Sequence, residues 1–330
     1  MLELHVGLVG HFPTITEALQ AVPYDMIAMI YIAAGTYEEK IFCEKKNITL
    51  IGAGSDKTFI KWHDHGEKVH QDGGKLGTFR SYTAFFAGRV VTVKDLSIIN
   101  KASGYGDKEK AIAAYVDTEI AHFENVHFDS GNGTLFCGPL PDDERFVDEL
   151  LGPRKYAPRH SSFQFYHHCK ISGNIDFIFG GADALFYECD IISKTITPSN
   201  SGYVIAASGK KEGAGFIFTK CQFFTTCSEK QTVYLARPWR KEGKVILLNC
   251  YLDAHIHPSG WAPWHVSDPL EINAQTTFIE HGSYGPGAKP PEIRAVWAKS
   301  LDQQDTQDLF ERIGDAALAW GINEIDDKSK

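Results

Sequence analysis

The 330-residue chain contains no apolar run of the roughly 18 residues that a membrane-spanning helix requires. It also lacks a basic excess, because 33 Lys and Arg residues face 42 Asp and Glu residues and the formal net charge is -9. Such a chain has no general means of neutralising a phosphate backbone. We therefore expect neither a membrane nor a nucleic acid as partner, although a local basic cleft can still bind an acidic sugar.

The cysteines are few, and their number and spacing do not indicate a set of disulfide bonds. The seven cysteines form an odd set, and no two have the CxxC spacing of a redox motif or zinc site. We expect reduced, buried thiols, as in cytoplasmic proteins, with no metal and no cofactor. The N-terminal sequence MLELH does not resemble a secretory leader. We therefore expect a cytoplasmic protein, or a secreted one if a leader has been removed from this sequence.

Short strand patterns dominate the chain, and one of them recurs. In each repeat a polar pair precedes a small apolar residue, and the repeats are 20 to 43 residues apart. That apolar residue is Leu96, Val126, Cys169, Cys189, Cys221 and Cys250 in turn. Repeats of this size with almost no helix predict a solenoid of stacked coils. We expect an all-β fold, a right-handed parallel β-helix in which the cysteines stack as an internal ladder.

The ends of the chain and its longest gap between repeats carry different signals. Residues 13–22 predict an N-terminal helical cap that begins with a capping box at Thr14. Residues 302–320 are amphipathic and predict a C-terminal helical tail that packs on the solenoid. Residues 137–160 are rich in Asp and Pro and predict an inserted loop of the kind that often carries function. No linker divides the chain, so all 330 residues are expected to form a single domain.

One stretch, residues 171–180 with sequence ISGNIDFIFG, places a carboxylate among bulky apolar side chains. At the strand period of two, Ile175, Phe177 and Phe179 fall on one face and Asp176 on the other. This pattern predicts a half-buried strand that holds Asp176 out on a rigid surface. A charge there needs a facing cation or hydrogen-bond donors. The alternative is an ordinary solvated Asp, and the stretch alone does not decide between the two.

Three segments resemble the signature segments of one enzyme family. They are residues 35–40 (GTYEEK), 173–180 (GNIDFIFG) and 235–239 (LARPW), and they resemble those of pectin methylesterases, the pectinesterase family. The likeness covers nearly the whole chain in order, with further similarity at residues 79–83 and 280–287. It implies a right-handed parallel β-helix and a metal-free aspartyl esterase. Such an enzyme demethylates galacturonate methyl esters in pectin or oligogalacturonides.

The resemblance also implies roles for particular residues. Asp176 matches the nucleophile, Arg237 the residue that holds it ionised and oriented, and Trp239 the residue that stacks against a sugar ring. Thr83 matches a substrate-contacting threonine, and Phe177, beside the nucleophile, is expected to contact substrate as well. These roles agree with physical chemistry, because a guanidinium offsets the apolar surroundings of a carboxylate and an indole offers a rigid sugar platform.

The chain departs from the family pattern at two places. Family members usually carry Gln where this chain has Lys110, and Gln-Asp where it has Asn132 and Gly133. In the family the two glutamines line the oxyanion site and the Asp protonates the departing methanol. Lys110 and Asn132 are therefore expected at the oxyanion site, while the acid position, Gly133, has no side chain.

Three explanations of these departures remain open. In the first, the acid is lost, which removes a contribution of about 10² to 10⁴-fold to the rate. In the second, Lys110 compensates for the missing acid by stabilising the oxyanion and donating a proton. A direct salt bridge between Lys110 and Asp176 would instead quench the nucleophile. In the third, a substitute acid comes from one of the nearby acidic residues, which are Asp129, Asp142, Asp143 and Glu144.

Two other function classes compete with an esterase. One is a noncatalytic carbohydrate-binding protein that retains Trp239, Arg237 and Asp176. The other is a different β-helix enzyme, a lyase or polygalacturonase, which would need a calcium-binding carboxylate cluster or a pair of acids across the glycosidic bond. The sequence shows neither of these arrangements. We expect a monomer whose partner is methyl-esterified galacturonan or oligogalacturonides.

The histidines show no metal-binding spacing. His167 and His168 are expected to be structural residues of a solenoid strand. His255 and His257 are expected in a loop, where they could contact substrate.

Overall fold

The structure is a computed structural model that describes residues 1–7, 11–102, 110–194, 201–226, 230–264, 275–299 and 311. Within these residues the chain forms one α-helix, α1 (Ile15–Ala21), short 3-10 turns at Thr78–Arg80 and Pro291–Ile293, and 21 strands. The strands are β1 (Leu2–Val6), β2 (Ile27–Ile32), β3 (Gly35–Tyr37), β4 (Ile41–Cys43), β5 (Asn47–Ile51), β6 (Thr58–Trp62), β7 (Ala84–Asn100), β8 (Ala114–Asp129), β9 (Leu135–Cys137), β10 (Phe163–His167), β11 (Lys170–Gly173), β12 (Ile175–Gly180), β13 (Asp183–Tyr187), β14 (Asp190–Ser193), β15 (Gly202–Ala207), β16 (Phe216–Thr219), β17 (Gln222–Thr225), β18 (Val233–Pro238), β19 (Lys244–Leu248), β20 (Tyr251–Leu252) and β21 (Thr277–His281).

These strands stack into three parallel sheets. The first sheet contains β4, β9, β12, β15 and β18 together with the first parts of β7 and β8. The second contains β1, β2, β5, β10, β13, β16, β19 and β21 with the middle parts of β7 and β8. The third contains β3, β6, β11, β14, β17 and β20 with the last parts of β7 and β8. The chain visits the sheets in this order in each coil, so the predicted right-handed parallel β-helix is confirmed.

The recurring polar pair has a backbone explanation. Its second residue has a positive φ between 50° and 56° in every repeat, which is a left-handed conformation that bends the chain from the second sheet into the third. These residues are Asp95, Asn125, His168, Glu188, Lys220 and Asn249. Among residues with a side chain, Asn and Asp adopt the left-handed conformation at the lowest cost, and they fill three of these six positions. The bend places the next residue inside the solenoid.

The predicted cysteine ladder is confirmed. Cys169, Cys189, Cys221 and Cys250 follow the bend in four successive coils, and all four are buried. Each thiol also donates to a backbone carbonyl of the coil before it, as Cys189 does to Tyr166 at 3.3 Å. These contacts satisfy a weak donor inside a dry core.

A column of stacked aromatic rings runs beside the ladder. The ring centroids of Phe123 and Tyr166 are 5.1 Å apart, those of Tyr166 and Phe186 are 4.6 Å apart, and those of Phe186 and Phe218 are 4.3 Å apart. The interplanar angles are 4°, 7° and 4°. Parallel in-register strands place equivalent side chains directly above one another, and these buried rings fill the middle of the solenoid.

The N-terminal helical cap is also confirmed. Thr14 caps α1 by accepting a hydrogen bond from the Glu17 backbone at 3.1 Å. The carboxylate of Glu39 accepts from the backbone of Ile15 and Thr16 at 2.9 Å, which satisfies two further amides of the first turn. The expected tail over 302–320 lies outside the described residues apart from residue 311. No described helix is long and apolar enough to cross a membrane.

The inserted loop begins one residue later than expected, because Cys137 is the last residue of β9 and is buried in the core. From residue 138 to β10 the chain forms no helix or strand. Leu140 and Leu150 are buried against the outer face of the first sheet. Ion pairs from Arg154 to Asp117 (3.0 Å) and from Arg240 to Glu149 (2.9 Å) anchor the loop there.

We expect the Phe186→Ala variant to lose about 3 to 5 kcal/mol of unfolding free energy, because it leaves a cavity in the ring column. Urea unfolding followed by circular dichroism measures this loss. Tyr156→Ala is the control, since its ring is 91% exposed and should change the stability by less than about 0.5 kcal/mol. Equal urea midpoints for Phe186→Ala and the unmodified protein would contradict a structural role for the column.

Candidate active site

Asp176 stands on the first sheet with an unusual backbone. Its φ is +47°, and the pairing of β12 with β15 shifts register between Ile175 and Ile178. This left-handed residue breaks the expected alternation: Phe177 and Ile178 both enter the solenoid core, while Phe179 packs on the outer face. The predicted strand is present as β12, but the predicted alternation of its side chains is wrong. A left-handed Asp is a local strain of the kind that concentrates at functional sites.

Arg237 holds the Asp176 carboxylate from β18, two strands away. Its Nε donates to Oδ1 at 2.8 Å and its Nη2 donates to Oδ2 at 2.7 Å. The carboxylate is only 4% exposed, so the bidentate pair offsets most of the cost of burying that charge. The predicted pairing of these two residues is confirmed by the geometry.

Lys110 approaches the same carboxylate from the opposite side. Its ammonium lies 3.4 Å from Oδ2 of Asp176 and 5.7 Å from the ring centroid of Phe179. Its side chain is 29% exposed, so part of it reaches solvent while the ammonium faces Asp176. Asp176 thus lies between two cations, held closely by Arg237 and loosely by Lys110.

These neighbours set the protonation of the pair. Burial raises the pKa of Asp176. The pKa is nevertheless lowered below its ordinary value, because Lys110 and Arg237 both place a positive charge beside the carboxylate and both donate hydrogen bonds to it. Burial is the largest influence on Lys110 and lowers its pKa, Arg237 adds to this, and Asp176 opposes it. Asp176 is therefore ionised at neutral pH, and Lys110 releases a proton more readily than a solvated lysine.

Gly133 and Lys110 are two parts of one arrangement. Gly133 has φ +75°, and a Cβ added to it would lie 3.3 Å from Cδ of Lys110 and 3.3 Å from the Phe179 ring. Lys110 forms a bridge with Asn132 in the coil above, so its side chain must cross Gly133 to reach Asp176. The residue without a side chain makes room for the long lysine. The two departures from the family pattern are therefore sterically linked.

The substitute acids have other partners. Asp129 accepts from Ser172 and pairs with Lys194 at 2.5 Å on the third sheet. Glu144 accepts from the Leu150 backbone at 2.9 Å and pairs with Lys155. Asp142 and Asp143 are exposed on the loop. The hypothesis of a loop acid gains no support, and Lys110 is the ionisable group that the structure brings to Asp176 beside Arg237.

The remaining predicted residues divide into three groups. Asn132 is buried next to Lys110, as expected. Trp239 reaches the site but is only 7% exposed, because it packs edge-on against Phe179 at 5.7 Å, under the guanidinium of Arg240. It forms part of the floor and offers little open surface for a sugar.

Two predicted substrate contacts are wrong. Phe177 is fully buried in the solenoid core, because the left-handed residue before it turns its ring inward. Thr83 is also fully buried, and its hydroxyl donates to the Ile99 carbonyl at 3.0 Å. Neither side chain offers surface to a substrate in this structure.

Sequence reasoning missed the aromatic residues that flank Arg237. The guanidinium lies 3.8 Å from the ring centroid of Tyr203 and 4.4 Å from that of Trp264, both half-buried. Tyr203 pairs in register with Tyr234, whose ring stacks on His257 at 4.4 Å. Tyrosines at equivalent positions of successive coils were the available signal. These rings form an aromatic strip beside the Asp176–Arg237 pair, in which the rings stack on one another and on the Arg237 guanidinium.

The two loop histidines have different surroundings. His257 joins the aromatic strip and is half-buried, so the expectation of a substrate contact stays a prediction. His255 is buried, and one of its ring nitrogens lies 3.2 Å from the Ser193 hydroxyl. Burial lowers the pKa of His255 to about 4, so it is a neutral core residue that cannot reach substrate.

The fold and site together define a parallel β-helix protein with a carboxylate site on its first sheet. A family model described as Pectinesterase matches residues 7–139 and 155–311. The chain belongs to the pectinesterase family, as its resemblance predicted. The segment between the two matched ranges falls within the inserted loop.

Similar proteins agree with this family. A pectinesterase from Petunia integrifolia is 30% identical over 292 residues, covering 84% of this chain and 69% of that protein. The probable pectinesterase/pectinesterase inhibitor 21 of Arabidopsis thaliana is 31% identical over 90% of this chain, which spans only 41% of that protein. The structure of pectin methylesterase from carrot has a TM-score of 0.75 and 25% identity, covering 92% of this chain and 89% of that chain.

We expect Arg237→Gln to lower the free energy of unfolding at neutral pH by about 3 to 5 kcal/mol, because Asp176 would keep a buried charge that faces Lys110 alone, through a single contact of 3.4 Å. The same substitution in an Asp176→Asn background should cost much less. The Asp176 contribution is present above the ordinary Asp pKa and is lost as the pH falls through the lowered pKa. Urea unfolding of the four proteins measures the coupling, and equal losses in both backgrounds would contradict it.

Proposed function

We propose that this chain, acting as a monomer without a cofactor, hydrolyses galacturonate methyl esters in pectin or oligogalacturonides. The observation that carries the proposal is the ionised, buried Asp176 held by both nitrogens of the Arg237 fork. Membership of the pectinesterase family supports the same reaction class.

In the proposed reaction an Asp176 oxygen attacks the ester carbonyl carbon. The C–O bond to the methoxy group then breaks, methanol leaves with one proton, and an acyl-enzyme anhydride remains on Asp176. Water attacks this anhydride, which releases the free galacturonate carboxylate and restores Asp176. Within the described residues Oδ1 accepts one hydrogen bond and Oδ2 accepts two, so Oδ1 keeps a lone pair for the attack.

Lys110 takes the role left open by Gly133. Its ammonium, near Oδ2 of Asp176, is placed to face the oxyanion that forms as the ester carbonyl is attacked. Its lowered pKa favours proton donation to the departing methoxy oxygen. In the second step the neutral amine takes a proton back from the attacking water. One residue thereby supplies both charge stabilisation and the proton.

The second candidate is a noncatalytic protein that binds the same acidic sugar chains. The specific observation in its favour is the direct contact between Lys110 and Asp176, which also reduces the nucleophilicity of the carboxylate. The contact of 3.4 Å is long for an ion pair of this kind, which favours a lysine available to substrate over one locked on Asp176.

Methanol release from methyl-esterified oligogalacturonides separates the two candidates. We expect release by the unmodified chain, none by Asp176→Asn, and a loss of about 10² to 10³-fold in Lys110→Gln. Lys170→Gln, on the exposed third-sheet surface, is the matched control and should keep full activity. If the unmodified chain binds the oligomers but releases no methanol, the noncatalytic protein is the correct assignment.

The pH dependence provides a separate test of Lys110. Activity should rise as Asp176 ionises, and it should fall again as the pH increases through the lowered pKa of Lys110. Lys110→Gln should lose this alkaline decline and keep the acidic one. Profiles of kcat/KM against pH measure both limbs, and an unchanged alkaline limb in Lys110→Gln would remove Lys110 as the proton donor.

Restoring the family residues tests the steric link. Gly133→Asp alone should gain little, because its Cβ meets the Lys110 side chain and the Phe179 ring. Gly133→Asp combined with Lys110→Gln should be more active than either single variant, since Gln ends at its Cδ amide and leaves to the new acid the space beside Asp176 that the Lys110 ammonium fills. Methanol release by the three variants measures this. Additive effects of the two substitutions would contradict the link.

A further inference from the structure

Three side chains with metal-ligating atoms meet on the outside of the solenoid, away from the first sheet. They are His167, His168 and Glu188, at the bend from the second sheet to the third. One ring nitrogen of each histidine and one oxygen of Glu188 all lie within 4.8 Å of one another. His168 and Glu188 reach solvent, while His167 is half-buried, so an ion has free access to the group.

The coil geometry produces this arrangement. Consecutive residues of a regular strand point to opposite faces, but the left-handed conformation of His168 brings its ring beside that of His167, with centroids 3.8 Å apart. Glu188 is the left-handed residue of the next coil, directly above His168. Its carboxylate lies 3.6 Å from Nε2 of His168, which is longer than a normal hydrogen bond.

Charged side chains of the adjacent coils have contacts outside the cluster. Glu124, in register with His167 one coil below, is paired with Lys94 at 2.6 Å. Lys220, one coil above Glu188, lies 3.5 Å from the Tyr187 hydroxyl. The Glu188 carboxylate therefore faces the two imidazoles.

We propose that His167, His168 and Glu188 bind a divalent transition-metal ion, for which Zn²⁺ is the probe. Two imidazole nitrogens and one carboxylate oxygen are a ligand set that suits Zn²⁺, with water in the remaining position. Ligand atoms around a tetrahedral Zn²⁺ are about 3.4 Å apart, so the three atoms, now within 4.8 Å of one another, would draw together when the ion binds. The ion would tie two successive coils together, so the site is a structural staple that is independent of the proposed esterase activity.

The test is calorimetric titration of the full chain with Zn²⁺. We expect one zinc equivalent to be lost in His168→Asn and in Glu188→Gln. Removing a residue that hydrogen-bonds to a metal ligand typically weakens metal affinity about 10 to 100-fold. Removing a ligand itself should therefore weaken zinc affinity by at least as much. Asn occupies the same left-handed position at residues 125 and 249, so His168→Asn preserves the bend. His63→Asn, on an exposed histidine elsewhere, is the control and should retain the site.

Thermal unfolding gives a second readout. Saturating Zn²⁺ should raise the Tm of the unmodified chain and of His63→Asn, and it should leave the Tm of His168→Asn and Glu188→Gln unchanged. Indistinguishable titrations of the unmodified chain and His168→Asn would overturn the proposal. So would zinc binding that disappears only in His5→Asn, because His5 and His11 form another histidine pair with centroids 4.8 Å apart.

Discussion

In-register stacking of coils is the constraint on which every feature of this molecule depends. Asp176 and Arg237 are 61 residues apart, yet β15 is the single strand between β12 and β18. Two strand spacings amount to about 10 Å, which only a long side chain can cross. Arg237 crosses it over the Tyr203 ring, and its fork arrives with the geometry that a carboxylate requires.

The same constraint acts from the other side of the site. Lys110 stands one coil before Asn132 and Gly133, and Asp176 stands one coil after them. A side chain that reaches across an intermediate coil needs a position in that coil where no other side chain blocks its path, which here is a low point in the surface of the coil. The absence of a Cβ at Gly133 provides that low point, so an apparent loss of a catalytic group and a gain of a cation are one exchange. In the proposed reaction the acid–base role therefore belongs to Lys110, a residue from a different coil.

The sequence predicted what depends on repetition and missed what depends on local backbone. Equivalent positions such as Cys189 and Cys221 recur in a readable pattern, so the solenoid and its ladder were predictable. The Asp176 and Arg237 pair was predictable from its motifs. Phe177 was misplaced because strand periodicity presumes regular dihedral angles, which Asp176 does not have. Trp264 was missed because the coils differ in length. The number of residues between two side chains therefore does not show whether they meet in neighbouring coils.

The cysteine ladder has a consequence for where such a protein can work. Its thiols are sealed inside the solenoid, and burial raises the pKa of Cys189 well above its ordinary value. Cys137 is buried in the same way, with a pKa raised to about 12. In Cys221 burial also raises the pKa, but hydrogen bonds with Cys189 and Cys250 lower it to about 5. Oxidants react with thiolates that they can reach, so it is the burial of all these residues that protects them on either side of a redox boundary. The buried, unpaired cysteines are therefore explained by the packing of the coils, and they do not indicate the cellular compartment in which the protein works.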